Sequence, residues 1–104
     1  MSRITTHVLD ISSGRPAGGM GAALYGREGG EVFRGRTNAD GRIADWGEVG
    51  EGIYKIRFET GDYFDRQGVK SFYPFVEVSF VVGEGHYHIP LLLSPWGYST
   101  YRGS

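Results

Sequence analysis

Cysteine is absent from this 104-residue chain, which excludes a disulfide framework, a thiolate nucleophile and any cysteine-based zinc site. No segment approaches the length of a membrane span, and the opening MSRITTHVLDISSG lacks an apolar stretch of signal-peptide length. A soluble, cytoplasmic protein is therefore the expectation, and the lack of cysteine fits that compartment. Charge of one sign is missing too. The 11 basic and 12 acidic side chains give a formal charge of −1 and form no long like-charged run. On that ground neither nucleic acid nor an anionic membrane is an expected partner. Histidine occurs only three times, so each position carries information.

What is present describes a globular chain. Hydrophobic residues make up 39% and charged residues 22%, and the length suits one domain over residues 1–104 with a single core. Glycine, at 18 residues, is spread over many short segments, as in a chain that turns often. Ile4 to Asp10 alternates, with Ile4, Thr6 and Val8 on one face and Thr5, His7 and Leu9 on the other. Strands are also expected over Gly21 to Tyr25, Glu31 to Arg36, Gly52 to Thr60, Phe75 to Val82, His86 to Leu93 and Tyr98 to Arg102. Asn38-Ala39-Asp40-Gly41 reads as a turn, followed by a short extended piece from Arg42 to Trp46. Asp62 to Gln67 reads as the one helix, with Asp62 as N-cap and Gly68 past its end. The expected fold class is mainly β, a two-sheet sandwich of about eight strands with one short helix.

Candidate chemistry gathers on strand faces. His86, His88, Pro90 and Leu92 share one face of their strand, His7 shares a face with Thr5 and Leu9, and Ser99 with Tyr101. Together they make a shallow apolar floor carrying imidazole, phenol and hydroxyl groups, the usual make-up of a small-molecule site. Taken singly, each residue has a plainer reading. A strand histidine is more often structural than catalytic, Arg42 fits a solvated turn arginine, and Tyr101 is one of seven tyrosines. His86-x-His88 offers two metal ligands on one face, but with His7 the only other histidine the set is thin for zinc. Gly18-Gly19 and Gly29-Gly30 lack the lysine and helix of a phosphate loop, and no Gly-x-Ser-x-Gly elbow occurs.

The text around these residues joins them. Thr6-His7-Val8-Leu9-Asp10, Gly14-Arg15-Pro16-Ala17 and Arg36-Thr37-Asn38-Ala39-Asp40-Gly41-Arg42 resemble the transthyretin-like family. So do His86 through Pro95 (HYHIPLLLSP) and the terminal Tyr98 through Ser104 (YSTYRGS). The closing Tyr101-Arg102-Gly103-Ser104 is similar to the signature of the family's 5-hydroxyisourate hydrolase branch, which the hormone-carrier branch lacks. The resemblance implies a transthyretin-like sandwich and a homotetramer with active clefts where two dimers meet. It also implies hydrolysis of 5-hydroxyisourate to 2-oxo-4-hydroxy-4-carboxy-5-ureidoimidazoline in urate (purine) degradation. It carries His7, Arg42, His88 and Tyr101 over as catalytic, with His7, Arg42 and Tyr101 also contacting substrate; Ser99, which shares a face with Tyr101, is expected to contact substrate as well, and no metal or cofactor is called for. The alternative is a non-catalytic transthyretin-like protein that binds a small ligand. Trp96 departs from a pattern in which many members carry tyrosine, and a packing change is expected there.

Overall fold

The two-residue period of side-chain direction sets the inner face of the first strand, β1 (Ser2–Asp10), whose Ile4, Thr6 and Val8 are fully buried. The computed structural model describes residues 1–44 and 46–104. After β1 come β2 (Arg15–Pro16), β3 (Gly21–Gly26), β4 (Glu31–Arg36), β5 (Arg42–Ile43), β6 (Glu48–Val49) and β7 (Gly52–Phe58). The helix α1 (Thr60–Asp65) then leads into β8 (Val76–Val82), β9 (Gly85–Ser94) and β10 (Gly97–Thr100).

Two sheets result, as expected. One runs β10-β9-β1-β2, with β5 and β6 also paired to β1; the other runs β4-β3-β7-β8. Every pairing is antiparallel except β1 with β9, which run parallel over the whole of β1. The inner faces pack Ile4, Val8, Ile89 and Leu91 of the first sheet against Leu24, Ile56, Phe58 and Val76 of the second. Burial of such side chains stabilises by roughly 1.5–3 kcal/mol each. The buried Thr6 hydroxyl donates to the Ile89 carbonyl at 2.6 Å, so no polar group is stranded there.

Four expectations are revised. Ten strands are present among the described residues, because three two-residue strands (β2, β5 and β6) exist only through pairing with β1. The extended piece after Arg42 ends as a strand at Ile43; Asp45 lies outside the described residues. The last strand stops at Thr100, and Tyr101 onward leaves β10. The helix begins at Thr60, preceded by Glu59, so Asp62 is not its N-cap and no side chain caps it. Tertiary contact overrides the capping signal: Gly61 donates its N–H to the Pro74 carbonyl at 3.1 Å, and a Cβ at Gly61 would lie 2.5 Å from that oxygen. Asp62 instead sits in the first turn, where its charge suits the helix dipole, and pairs with Arg66 at 3.2 Å. Gly68 does close the helix: its φ is +69°, and Val69 N–H returns to the Phe64 carbonyl at 3.0 Å.

Candidate active site

Pairing register decides which outward side chains become neighbours. Residues directly opposite one another point to the same face. Parallel pairing of β1 with β9 sets Arg3 beside His86, Thr5 beside His88, His7 beside Pro90 and Leu9 beside Leu92. On the other flank of β1, β5 sets Arg42 beside His7. On β10, Ser99 lies opposite Leu92. The outer face of this sheet therefore carries Thr5, His7, Arg42, His88 and Ser99 together, over Leu9, Pro90 and Leu92.

Arg42 is delivered there by its turn. The Asn38 side-chain oxygen accepts from the N–H groups of Asp40 (2.9 Å) and Arg42 (3.0 Å), and Gly41 returns its N–H to the Asn38 carbonyl at 2.9 Å. Gly41 adopts φ +77°, and a Cβ there would lie 2.4 Å from the Val8 carbonyl oxygen. Only glycine lets the turn approach β1 closely enough for Val8 N–H to donate to the Gly41 carbonyl at 2.7 Å.

His7 Nε2 lies 2.9 Å from the Asp40 carbonyl oxygen. A carbonyl can only accept, so neutral His7 carries its proton on Nε2 and keeps a lone pair on Nδ1. Thr5, only 7% exposed, places its hydroxyl 2.7 Å from His88 Nδ1 and 2.8 Å from His86 Nε2. Burial and the nearby Arg42 guanidinium lower the pKa of His7 from the ordinary imidazole value, against an opposing pull from the Asp40 carbonyl. His88 is lowered by burial, Arg42, His86 and His7 in that order. Both shifts favour the neutral imidazole, the state in which a ring nitrogen can take a proton.

The terminal tetrapeptide runs on from β10 along the edge of β9, with Gly103 opposite His88 in antiparallel register. Gly103 N–H donates to the His88 carbonyl at 2.8 Å, and the Arg102 guanidinium stacks 4.2 Å from the centre of the Tyr87 ring. Gly103 lies flat on His88, since a Cβ there would be 2.5 Å from the ring's Cδ2 and 3.2 Å from Pro90 Cγ. Ser104 then joins Arg42, Thr5, His86 and His88 around a cleft of about 230 Å³. Tyr101, exposed, lines a separate groove of about 560 Å³ together with His88 and Tyr87.

Of the residues singled out from sequence, His88 and Arg42 meet in the smaller cleft and His7 adjoins Arg42. Tyr101 lines the other groove instead, and Ser99 lines neither opening. Thr5 and Ser104 were not singled out, and His86 was weighed only as a metal ligand. Alternation placed Thr5 on the His7 face, and Ser104 stood in the terminal motif, but nothing local showed either one touching the cleft. Among the described residues, no cluster of three or more His, Cys, Asp or Glu side chains is placed to hold a metal ion. Trp96 is exposed, so its larger ring alters surface packing alone.

Comparison with known proteins places these features in a family context. The model of the HIUase/Transthyretin family matches residues 4–103. The chain is 47% identical to the probable 5-hydroxyisourate hydrolase of Schizosaccharomyces pombe, covering 97% of this chain and 90% of that one. The solved structure of Klebsiella pneumoniae 5-hydroxyisourate hydrolase superposes with a TM-score of 0.95 at 43% identity, covering all of both chains. Sea bream transthyretin in complex with thyroxine superposes at 0.90 with 32% identity, covering 96% of this chain and 93% of that one.

Proposed function

The chain belongs to the HIUase/Transthyretin family, and from that premise we propose that it is an enzyme hydrolysing 5-hydroxyisourate to 2-oxo-4-hydroxy-4-carboxy-5-ureidoimidazoline in urate degradation. The observation that carries this reading is His7, Arg42 and His88 gathered on one outward face by the pairing of β5 and β9 with β1, with the terminal Gly103 packed against His88. Relatives at this level of identity bear the hydrolase name.

The mechanism follows from the atoms available. Water adds to a ring carbonyl while an imidazole, His88 Nε2 by preference over His7 Nδ1, removes its proton, a contribution of about 10²–10⁴-fold. The Arg42 guanidinium donates two parallel hydrogen bonds to the planar, oxygen-rich substrate and stabilises the charge growing on the attacked oxygen. The carbon–nitrogen bond of the cyclic amide then breaks, and the departing nitrogen takes the proton held on the imidazole. Tyr101 and Ser99 orient the ring. No metal or cofactor enters.

The enzyme acts as a cytoplasmic homotetramer. Two features support assembly: β8 and β10 end their sheets with open edges, and the face bearing His88 leaves Leu9 and Leu92 half exposed. Among the described residues no helix is long and apolar enough to cross a membrane. The second reading, a carrier of a small ligand without turnover, rests on the likeness to thyroxine-bound transthyretin at 32% identity and is not favoured beside the relatives at 43% and 47% that bear the hydrolase name.

One assay separates the two. Decay of freshly generated 5-hydroxyisourate is followed by ultraviolet absorbance, with and without the protein, in excess EDTA. Acceleration well above the spontaneous rate establishes the hydrolase without a metal. Absence of acceleration from folded protein returns the carrier reading.

A further inference from the structure

A threonine hydroxyl owns one hydrogen, yet Thr5 Oγ1 sits between two imidazole nitrogens, 2.7 Å from His88 Nδ1 and 2.8 Å from His86 Nε2. It can donate to only one, so at least one nitrogen must donate to it. Three arrangements satisfy both contacts. In the first, His88 Nδ1–H donates to Thr5 and Thr5 donates to His86 Nε2. In the second, the chain of donors runs the opposite way. In the third, both rings donate to Thr5, whose own hydrogen turns elsewhere; the first and third leave a lone pair on His88 Nε2, and the second does not.

The surroundings favour those in which His88 Nδ1–H donates to Thr5. Nδ1 of His88 faces Thr5, and Cδ2 lies under Gly103, so the ring's remaining edge, which bears Nε2, is the one left for the cleft. Arg42 lines that same cleft and acts on His88 as a nearby positive charge. A lone pair turned toward a cation is favoured over an N–H turned toward it.

We propose that Thr5 and His86 are positioning residues that lock His88 in its Nδ1–H tautomer, leaving Nε2 as the proton acceptor for hydrolysis. This rests on the hydrolase reading for its consequence, but the tautomer itself does not. Both act here through the His88 ring rather than on the reacting atoms. Thr5 is buried and held by both rings, whereas His86 is exposed and is the outer hydrogen-bond partner that fixes the hydroxyl. The same contacts fix the rotation of the His88 ring, because Thr5 and Gly103 grip it on opposite edges.

The test pairs a spectrum with kinetics. Long-range 1H–15N correlation of the wild-type protein at neutral pH should show His88 protonated on Nδ1, and Thr5→Val should move population to the Nε2–H form. Thr5→Val should lower kcat at least about tenfold, part of the roughly 10²–10⁴-fold that a placed general base contributes, with KM little changed. Thr5→Ser, which keeps the hydroxyl, should recover most of kcat. A wild-type His88 protonated on Nε2 overturns the proposal outright, even if Thr5→Val fails to fold. So does a Thr5→Val enzyme with wild-type kcat. An Nδ1–H tautomer in a protein that does not accelerate 5-hydroxyisourate decay overturns the hydrolase reading alone.

Discussion

Replacing Gly103 by alanine tests whether the terminal tail shapes the His88 side chain or merely covers it. The new Cβ would start 2.5 Å from His88 Cδ2, 3.2 Å from its Cγ and 3.2 Å from Pro90 Cγ. Carbon atoms rest at about 3.5–4.0 Å, so the ring or the tail must yield by about 1 Å. Holding everything in place would cost about 1–3 kcal/mol of overpacking. Detaching the tail forfeits the Gly103–His88 backbone hydrogen bond, about 1 kcal/mol, together with the exposed stacking of Arg102 on Tyr87, about 0.5–1 kcal/mol. Release of the tail is therefore no dearer than compression, and global stability should fall by no more than about 2 kcal/mol. Catalysis has no such escape. Either the ring moves off Thr5, or Ser104 leaves the cleft, and a misplacement of about 1 Å is worth roughly 10²-fold in rate. Gly103→Ala should thus show a modest drop in Tm by circular dichroism and a roughly 10²-fold lower kcat/KM for 5-hydroxyisourate. Gly97→Ala is the control, since its Cβ would meet nothing closer than Ser94 Oγ at 3.9 Å. A Gly103→Ala enzyme with wild-type kcat/KM would refute the reasoning.

Four further outcomes follow from the same geometry. His88→Asn should lower kcat by about 10²–10⁴-fold with a smaller change in KM; steady-state kinetics showing an unchanged kcat removes His88 as the base. Arg42→Gln should raise the pKa of both His7 and His88, because the guanidinium lowers each, and NMR titration of the imidazole protons reads this without any activity. In wild-type enzyme the acid limb of kcat/KM should accordingly lie below the ordinary histidine value of about 6.5. Burial alone would raise the Asp10 carboxyl, but donors from Ser12, Tyr63 and Ser13 outweigh it and hold the pKa below the usual value. Its stabilisation is therefore complete above the unfolded-state pKa and is lost as pH falls through the folded one. Asp10→Asn should cost about 1–3 kcal/mol at pH 7, with the gap to wild type closing in acid denaturation curves. Gly41→Ala should cost about 2–4 kcal/mol, from a left-handed backbone and the displaced Val8 contact; calorimetry showing less than about 0.5 kcal/mol would mean the turn has another way to reach β1.

Strands with their own alternation were legible from sequence: β4 begins and ends where the reading put it, and β1 and β7 differ by about two residues. Their periodicity is local, and burial of one face follows directly from it. The two-residue strands β2, β5 and β6 were not legible, since two residues carry no period and become strands only by pairing with β1. The helix was found but displaced, because the close approach of Gly61 to Pro74 outweighs a capping preference worth about 1 kcal/mol. At the site, the faces of His7 and His88 were readable, as was the turn that delivers Arg42. The grip of Thr5 on two imidazoles was not, nor was the separation of Tyr101 from the cleft that Arg42 lines.

By itself, then, the sequence determined which side chains face outward and which form the core, because a side-chain period of two is a property of each strand alone. It also determined, through its motifs, the family in which those outward residues belong. Only the tertiary structure decided who stands next to whom. Thr5 meets His86 and His88 across 81 and 83 residues of chain, through one parallel pairing. A slip of two residues would keep every face correct while moving Thr5 off His88. What prevents that slip is the fit of Ile4, Val8, Ile89 and Leu91 against the opposite sheet, and shape complementarity between distant segments is not written in either one.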